Sequence, residues 1–141
     1  MSDIDKELIR RKLESLREYI QRLEELKALN KQNFLGDHHN FGLAEHYLQL
    51  SIEIVLDVCR HLVVALNIKT PEDSRGLFQI LAEQNILTGK FSEKNKNMAG
   101  FRNRLVHEYS EVDHGRVYTY LQNYFGEFEI FIVEISRYLQ G

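Results

Sequence analysis

An all-α fold, an antiparallel bundle of about five helices, is what the sequence predicts. One proline in 141 residues leaves long stretches with nothing to break a helix. Strand-like alternation bounded by turn pairs is absent, and apolar residues recur instead at spacings of three and four. Residues 1–141 read as a single domain: 43% hydrophobic residues suffice for a core, and 28% charged residues suffice to solvate its surface.

From about Asp3 to Asn30, the residues Ile9, Leu13, Leu16, Ile20 and Leu23 form one narrow apolar seam among Arg, Lys, Glu and Gln. This is the pattern of a long amphipathic helix, and the helical segments that follow it favour a bundle over a free coiled coil. Between Asn30 and Gly42 the periodicity is lost among turn formers, which predicts a loop. His38 and His39 beside Asp37, with His46 beyond, have the residue types of a metal site. Adjacent histidines point apart on most backbones and no metal-ligand spacing supports them, so loop histidines and no metal are expected.

The second helix, from about Leu43 to Ile68, carries Glu45, Gln49, Glu53 and Asp57 on one thin strip and apolar side chains almost everywhere else. A helix so apolar must be covered on more than one side, either as the centre of the bundle or also at a subunit interface. Thr70-Pro71-Glu72-Asp73 reads as a helix start, with a threonine cap, proline at the first position, and acids near the positive end of the dipole. This third helix runs to about Gln84 on Leu77, Phe78 and Leu81. Ile86 and Leu87 extend its apolar surface to Gly89. A fourth helix is expected from about Ser92 to His107, with Met98, Phe101 and Leu105 inward. After Asp113-His114-Gly115, a last long helix runs from Arg116 to about Leu139. Its aromatic residues belong with the seven tyrosines and eight phenylalanines that replace the missing tryptophan as core fillers.

The formal charge is −3, from 18 basic against 21 acidic residues. That excludes a nucleic-acid coat protein working by bulk positive charge, so any nucleic-acid chemistry needs a local site. Cys59 is the only cysteine, cannot form an internal bridge, and sits among apolar neighbours as a core residue rather than a nucleophile. The N-terminus is too charged for a signal peptide, and no run approaches the roughly 18 apolar residues of a membrane span. A cytoplasmic protein without a membrane partner is expected.

One stretch concentrates functional residue types: Phe101-Arg102-Asn103-Arg104-Leu105-Val106-His107-Glu108-Tyr109. Arginine presents a fixed fork of donors that matches phosphate, and histidine gives and takes protons near neutrality. Together they can bind a phosphodiester and move the proton of a ribose 2′-hydroxyl without a metal. Positions five apart lie about 140° apart around a helix, so Arg102 and His107 do not share a face, whereas Asn103 and His107 do. Three arrangements reconcile this: the long arginine bends, the histidine lies at a frayed helix end, or two copies face each other across a two-fold axis. A purely structural reading also stands, because arginine and histidine suit the negative end of a helix dipole.

The string Arg102-Asn103-Arg104-Leu105-Val106-His107-Glu108-Tyr109, an Arg, four residues, a His, one residue and a Tyr, resembles the motif of the HepT toxins of the HEPN superfamily. The resemblance covers nearly the whole chain, including the apolar second helix and the short Leu77 to Glu83 helix. It implies a homodimeric, metal-independent ribonuclease whose motifs meet in a cleft between subunits. Arg102 would bind the scissile phosphate and stabilise the transition state, and His107 would act as general base or acid. Asn103 and Arg104 would support the substrate. Such cleavage leaves a 2′,3′-cyclic phosphate and a 5′-hydroxyl, with transfer RNA the first substrate expected and no DNA. The resemblance also implies a toxin–antitoxin partner, an MntA-like nucleotidyltransferase that uses ATP and magnesium to attach AMP to Tyr109. The toxin itself would need no cofactor. The competing expectation is a non-catalytic module of the same fold that docks a nucleotidyltransferase or binds nucleotide.

Overall fold

The computed structural model describes residues 4–107 and 112–141. Among these are seven helices: α1 (Lys6–Lys27), α2 (Lys31–Gly36), α3 (His38–Ala65), α4 (Ser74–Glu83), α5 (Gly89–Lys94), α6 (Met98–His107) and α7 (His114–Gln140). No strand occurs among the described residues. The helices expected from the sequence are found except that the fourth is split into α5 and α6, and the short α2 is added.

The seam on α1 is buried as its spacing requires, with Leu26 extending it. Asp5 caps the helix by accepting from the Leu8 amide at 3.0 Å, and its own amide donates to His61 Nε2 on α3 at 3.1 Å. α1 packs along α3 and α7, and α3 in turn meets α2, α4, α6 and α7. The second helix of the sequence is therefore the centre of the bundle. Its buried set runs from Ala44 to Ala65 and includes Cys59, which is fully enclosed.

Three boundaries differ from the sequence reading, each for a local reason. The stretch from Asn30 to Gly42 is not a loop. Asn30 and Asp37, which look like turn formers, are N-caps: Asn30 accepts from the Asn33 amide at 2.8 Å to start α2, and Asp37 accepts from the His39 amide at 2.9 Å to start α3. The α4 cap is Asp73 rather than Thr70, with its carboxylate accepting from the Gly76 amide at 2.9 Å. Pro71 instead packs over Gly76, where an added Cβ would come within 2.6 Å of the proline Cβ. The single helix expected from Ser92 to His107 is two helices. Buried Asn95 closes α5 by donating from Nδ2 to the Phe91 carbonyl and to Glu127 Oε1 on α7, both at 2.9 Å. The chain restarts at Met98, whose amide bonds the Asn95 carbonyl.

α3 and α4 stop in the same way. Asn67 and Asn85 adopt φ of 58° and 59°, and the next residues return amide bonds from Ile68 to Val63 and from Ile86 to Leu81. This is the left-handed C-terminal closure that asparagine tolerates better than other non-glycine residues.

Candidate active site

α6 is a short helix anchored on one stripe, with Met98, Phe101 and Leu105 buried. The stripe fixes the direction of the residues between. Arg102 is half-buried, and Asn103 and Arg104 are exposed beside it. Arg102 makes no ion pair or hydrogen bond among the described residues, and its Nε is fully buried without a partner. His107 is the last described residue of α6. Its side chain, and Glu108, Tyr109 and Glu111, lie outside the described residues.

Alongside the motif, α6 and α7 share a column of aromatic rings that the sequence reading assigned only to core filling. The Phe101 ring lies 3.9 Å from that of Tyr120 at 6°, and Tyr120 lies 4.4 Å from Tyr124 at 7°. Lys94 of α5 closes the far end, with Nζ 4.8 Å from the Tyr124 ring centroid. Burial, then the neighbouring Tyr124 and Glu127, push the Tyr120 phenol above its ordinary range, so it stays neutral. Its hydroxyl is a second buried polar atom here without a partner among the described residues. The i, i+4 spacing of Tyr120 and Tyr124 was the available signal, but the register that sets Phe101 against them is tertiary.

His114, read from the sequence as a turn residue, opens α7 with its Nδ1 bonded to the Glu45 carboxylate of α3. Its ring stacks on Phe41 at 3.9 Å. Asp37, His38 and His39 also depart from expectation. Their ligating atoms lie within 4.8 Å of one another, and the two histidine rings, on the first turn of α3, are 4.3 Å apart rather than pointing away. All three are exposed, and the Asp37 carboxylate is engaged as a cap. The His39 amide first, then the His39 ring, hold that carboxyl below the ordinary carboxylate range.

Cys59, by contrast, is what its neighbours predict. Burial raises its thiol far above the ordinary range, which removes it as a nucleophile. No helix among the described residues is long and apolar enough to cross a membrane.

Both the sequence and the fold are similar to those of known proteins. A tRNA nuclease HepT of Aphanizomenon flos-aquae (strain 2012/KM1/D3) is 24% identical over 139 residues, covering 99% of this chain and 95% of its own. An mRNA nuclease HepT of Shewanella oneidensis is 34% identical over 85 residues, 60% of this chain and 64% of its own. Among solved structures, the tri-AMPylated Shewanella oneidensis HEPN toxin in complex with MNT antitoxin superposes with a TM-score of 0.82 at 28% identity, over 97% of this chain and 99% of that one. The family model described as ribonuclease HepT-like matches residues 16–135, a span that contains all of α6. The chain belongs to the ribonuclease HepT-like family.

Proposed function

We propose that this chain is the RNA-cleaving toxin of a HepT/MntA-type toxin–antitoxin pair, acting as a homodimer. The observation that carries the reading is Arg102, a half-buried arginine with no partner among the described residues, on the helix that also carries His107. A guanidinium with no partner among the described residues can offer its terminal N–H donors to a phosphate.

The chemistry follows from the two side chains. Arg102 holds the non-bridging oxygens of the scissile phosphate and stabilises the extra negative charge of the pentacoordinate transition state. His107 takes the 2′-hydroxyl proton as the 2′-oxygen attacks phosphorus, and the 5′-oxygen leaves with a proton. The products are a 2′,3′-cyclic phosphate and a 5′-hydroxyl. One imidazole cannot be base and acid in the same step, so a second copy supplies the other proton-transfer group across a two-fold axis. That arrangement also answers the separation of about 140° between Arg102 and His107 around one helix. Asn103 and Arg104, exposed on the same helix, assist phosphate binding. Transfer RNA is the proposed substrate, in keeping with the name of the relative that spans the whole chain.

Control by the partner is proposed at Tyr109. The phenol oxygen attacks the α-phosphorus of ATP on a magnesium-dependent nucleotidyltransferase, and pyrophosphate leaves. Each AMP adds bulk and negative charge next to a site that must admit RNA phosphate. The reading is supported by the AMPylated toxin and its MNT antitoxin among the solved relatives.

Purified protein incubated with tRNA in EDTA should cleave it, with Arg102→Ala and His107→Ala each reducing the rate at least about 100-fold. Equal cleavage by all three proteins would assign the activity to a contaminant and end the ribonuclease reading. With the nucleotidyltransferase, ATP and magnesium, the intact mass should rise in AMP units. Persistence of that rise in Tyr109→Phe would move the acceptor elsewhere.

A further inference from the structure

The aromatic column borders an open groove of about 410 Å³ between the start of α2, the amino half of α6 and the first half of α7. That volume falls in the range of roughly 300–1,000 Å³ that suits a small organic ligand. Phe101, Tyr120 and Tyr124 line one wall. Both faces of the middle ring are covered by its neighbours, and Lys94 lies over Tyr124, so Tyr120 and Tyr124 meet the groove through ring edges. Aromatic edges carry partial positive charge and take the π-face of another flat ring in the edge-to-face manner.

The other wall is charged. Lys31 is exposed and makes no ion pair among the described residues. Arg116 lies 3.8 Å from Asp113, but both side chains are largely exposed, and such a pair is weak and leaves the guanidinium available. The Asp113 carboxylate is already committed to the Gly115 and Arg116 amides as the α7 cap. Among the described residues, the groove therefore carries two cations against one engaged carboxylate, on a chain whose formal charge is −3. Asn123, exposed at its edge, adds an amide that both donates and accepts. Phe101, the first ring of the wall, directly precedes Arg102 on α6.

We propose that this groove is a nucleotide subsite for the RNA strand, holding one base against the Phe101–Tyr120–Tyr124 wall and Asn123, and the adjoining phosphate on Lys31 and Arg116. The subsite rests on the ribonuclease reading and extends it: RNA is held beside the motif as well as on it. Ring edges and an amide discriminate poorly between bases, so the subsite favours single-stranded RNA over any particular sequence.

The test is direct binding of a fluorescein-labelled single-stranded oligoribonucleotide to the full chain carrying His107→Ala, followed by anisotropy over a salt series. Adding Lys31→Ala and Arg116→Ala, both at exposed positions, should weaken binding about tenfold and reduce the slope of log K against log salt by about 0.7. Tyr124→Leu should weaken it about fivefold with the slope unchanged. Asn123→Ala keeps the ring wall intact and should give a smaller loss in the same direction. Unchanged affinity and slope in the charge variants overturn the subsite. So does a shift from dimer to monomer in light scattering, which would make the groove an interface between copies. Cleavage by the parent chain separates the two readings. Cleavage with groove-independent binding keeps the ribonuclease and removes the subsite, whereas groove-dependent binding without cleavage does the reverse.

Discussion

At Arg102, a buried Nε faces no acceptor among the described residues, and an unmet buried donor costs about 1–3 kcal/mol. Folding alone gives no reason to keep it, whereas a phosphate that arrives later does. Arg102→Met keeps the length of the stem and removes the donor. Its melting temperature should equal or exceed that of the parent, while RNA cleavage falls at least about 100-fold. A melting temperature several degrees lower would make the guanidinium a structural group. Arg102→Lys should not restore cleavage, since an ammonium lacks the planar fork that grips two phosphate oxygens. At this scale the sequence was most legible. The motif string named Arg102, Asn103, Arg104 and His107 directly, because residues within one helix keep their spacing in the fold. Tyr120 and Tyr124 carried no such label. Their role beside Phe101 comes from a contact between α6 and α7 that spacing along the chain does not encode.

Among the elements, the α5–α6 junction shows where periodicity stops being informative. Met98, Phe101 and Leu105 read as the inward stripe of one helix from about Ser92, yet α5 ends because Asn95 bonds Glu127, 32 residues away. The capping residues were present in the sequence as types, but choosing among neighbours, as between Thr70 and Asp73, needed the carboxylate's position. One such cap holds α5 to α7. Thr88 accepts from the Phe91 amide at 3.1 Å through its hydroxyl. That hydroxyl and the Thr88 amide both donate to the Glu134 carboxylate, at 3.0 and 2.7 Å. Glu134 is only 9% exposed, so Glu134→Ala leaves two donors without their acceptor. It should lower stability by about 2 kcal/mol, read as a smaller urea midpoint at constant m-value. Because α6 follows α5 directly, the same variant should also slow RNA cleavage. A midpoint within experimental scatter of the parent would mean that water replaces the carboxylate.

For the whole molecule, two neutral groups enclosed by packing tie stability to alkaline pH. Cys59 lies fully buried on the central helix α3, and Tyr120 lies between two rings. Burial raises both above their ordinary values. The unfolded chain ionises the thiol from roughly pH 8.5 and the phenol from about pH 10, while the folded chain keeps both protons. The unfolded state then binds fewer protons than the native state, so the stability that these groups hold at neutral pH is lost as pH rises. Cys59 alone gives a slope of about 1.4 kcal/mol per pH unit above its unfolded value, a loss of about 2 kcal/mol between pH 8 and 10. Urea midpoints across that range should fall for the parent chain. Cys59→Ala, which starts lower because of the small cavity it leaves, should stay nearly flat until the phenol's contribution begins near pH 10. An equal slope in Cys59→Ala would mean that the thiol is reached by solvent without unfolding, and the centre of the bundle would then open far more readily than its packing implies.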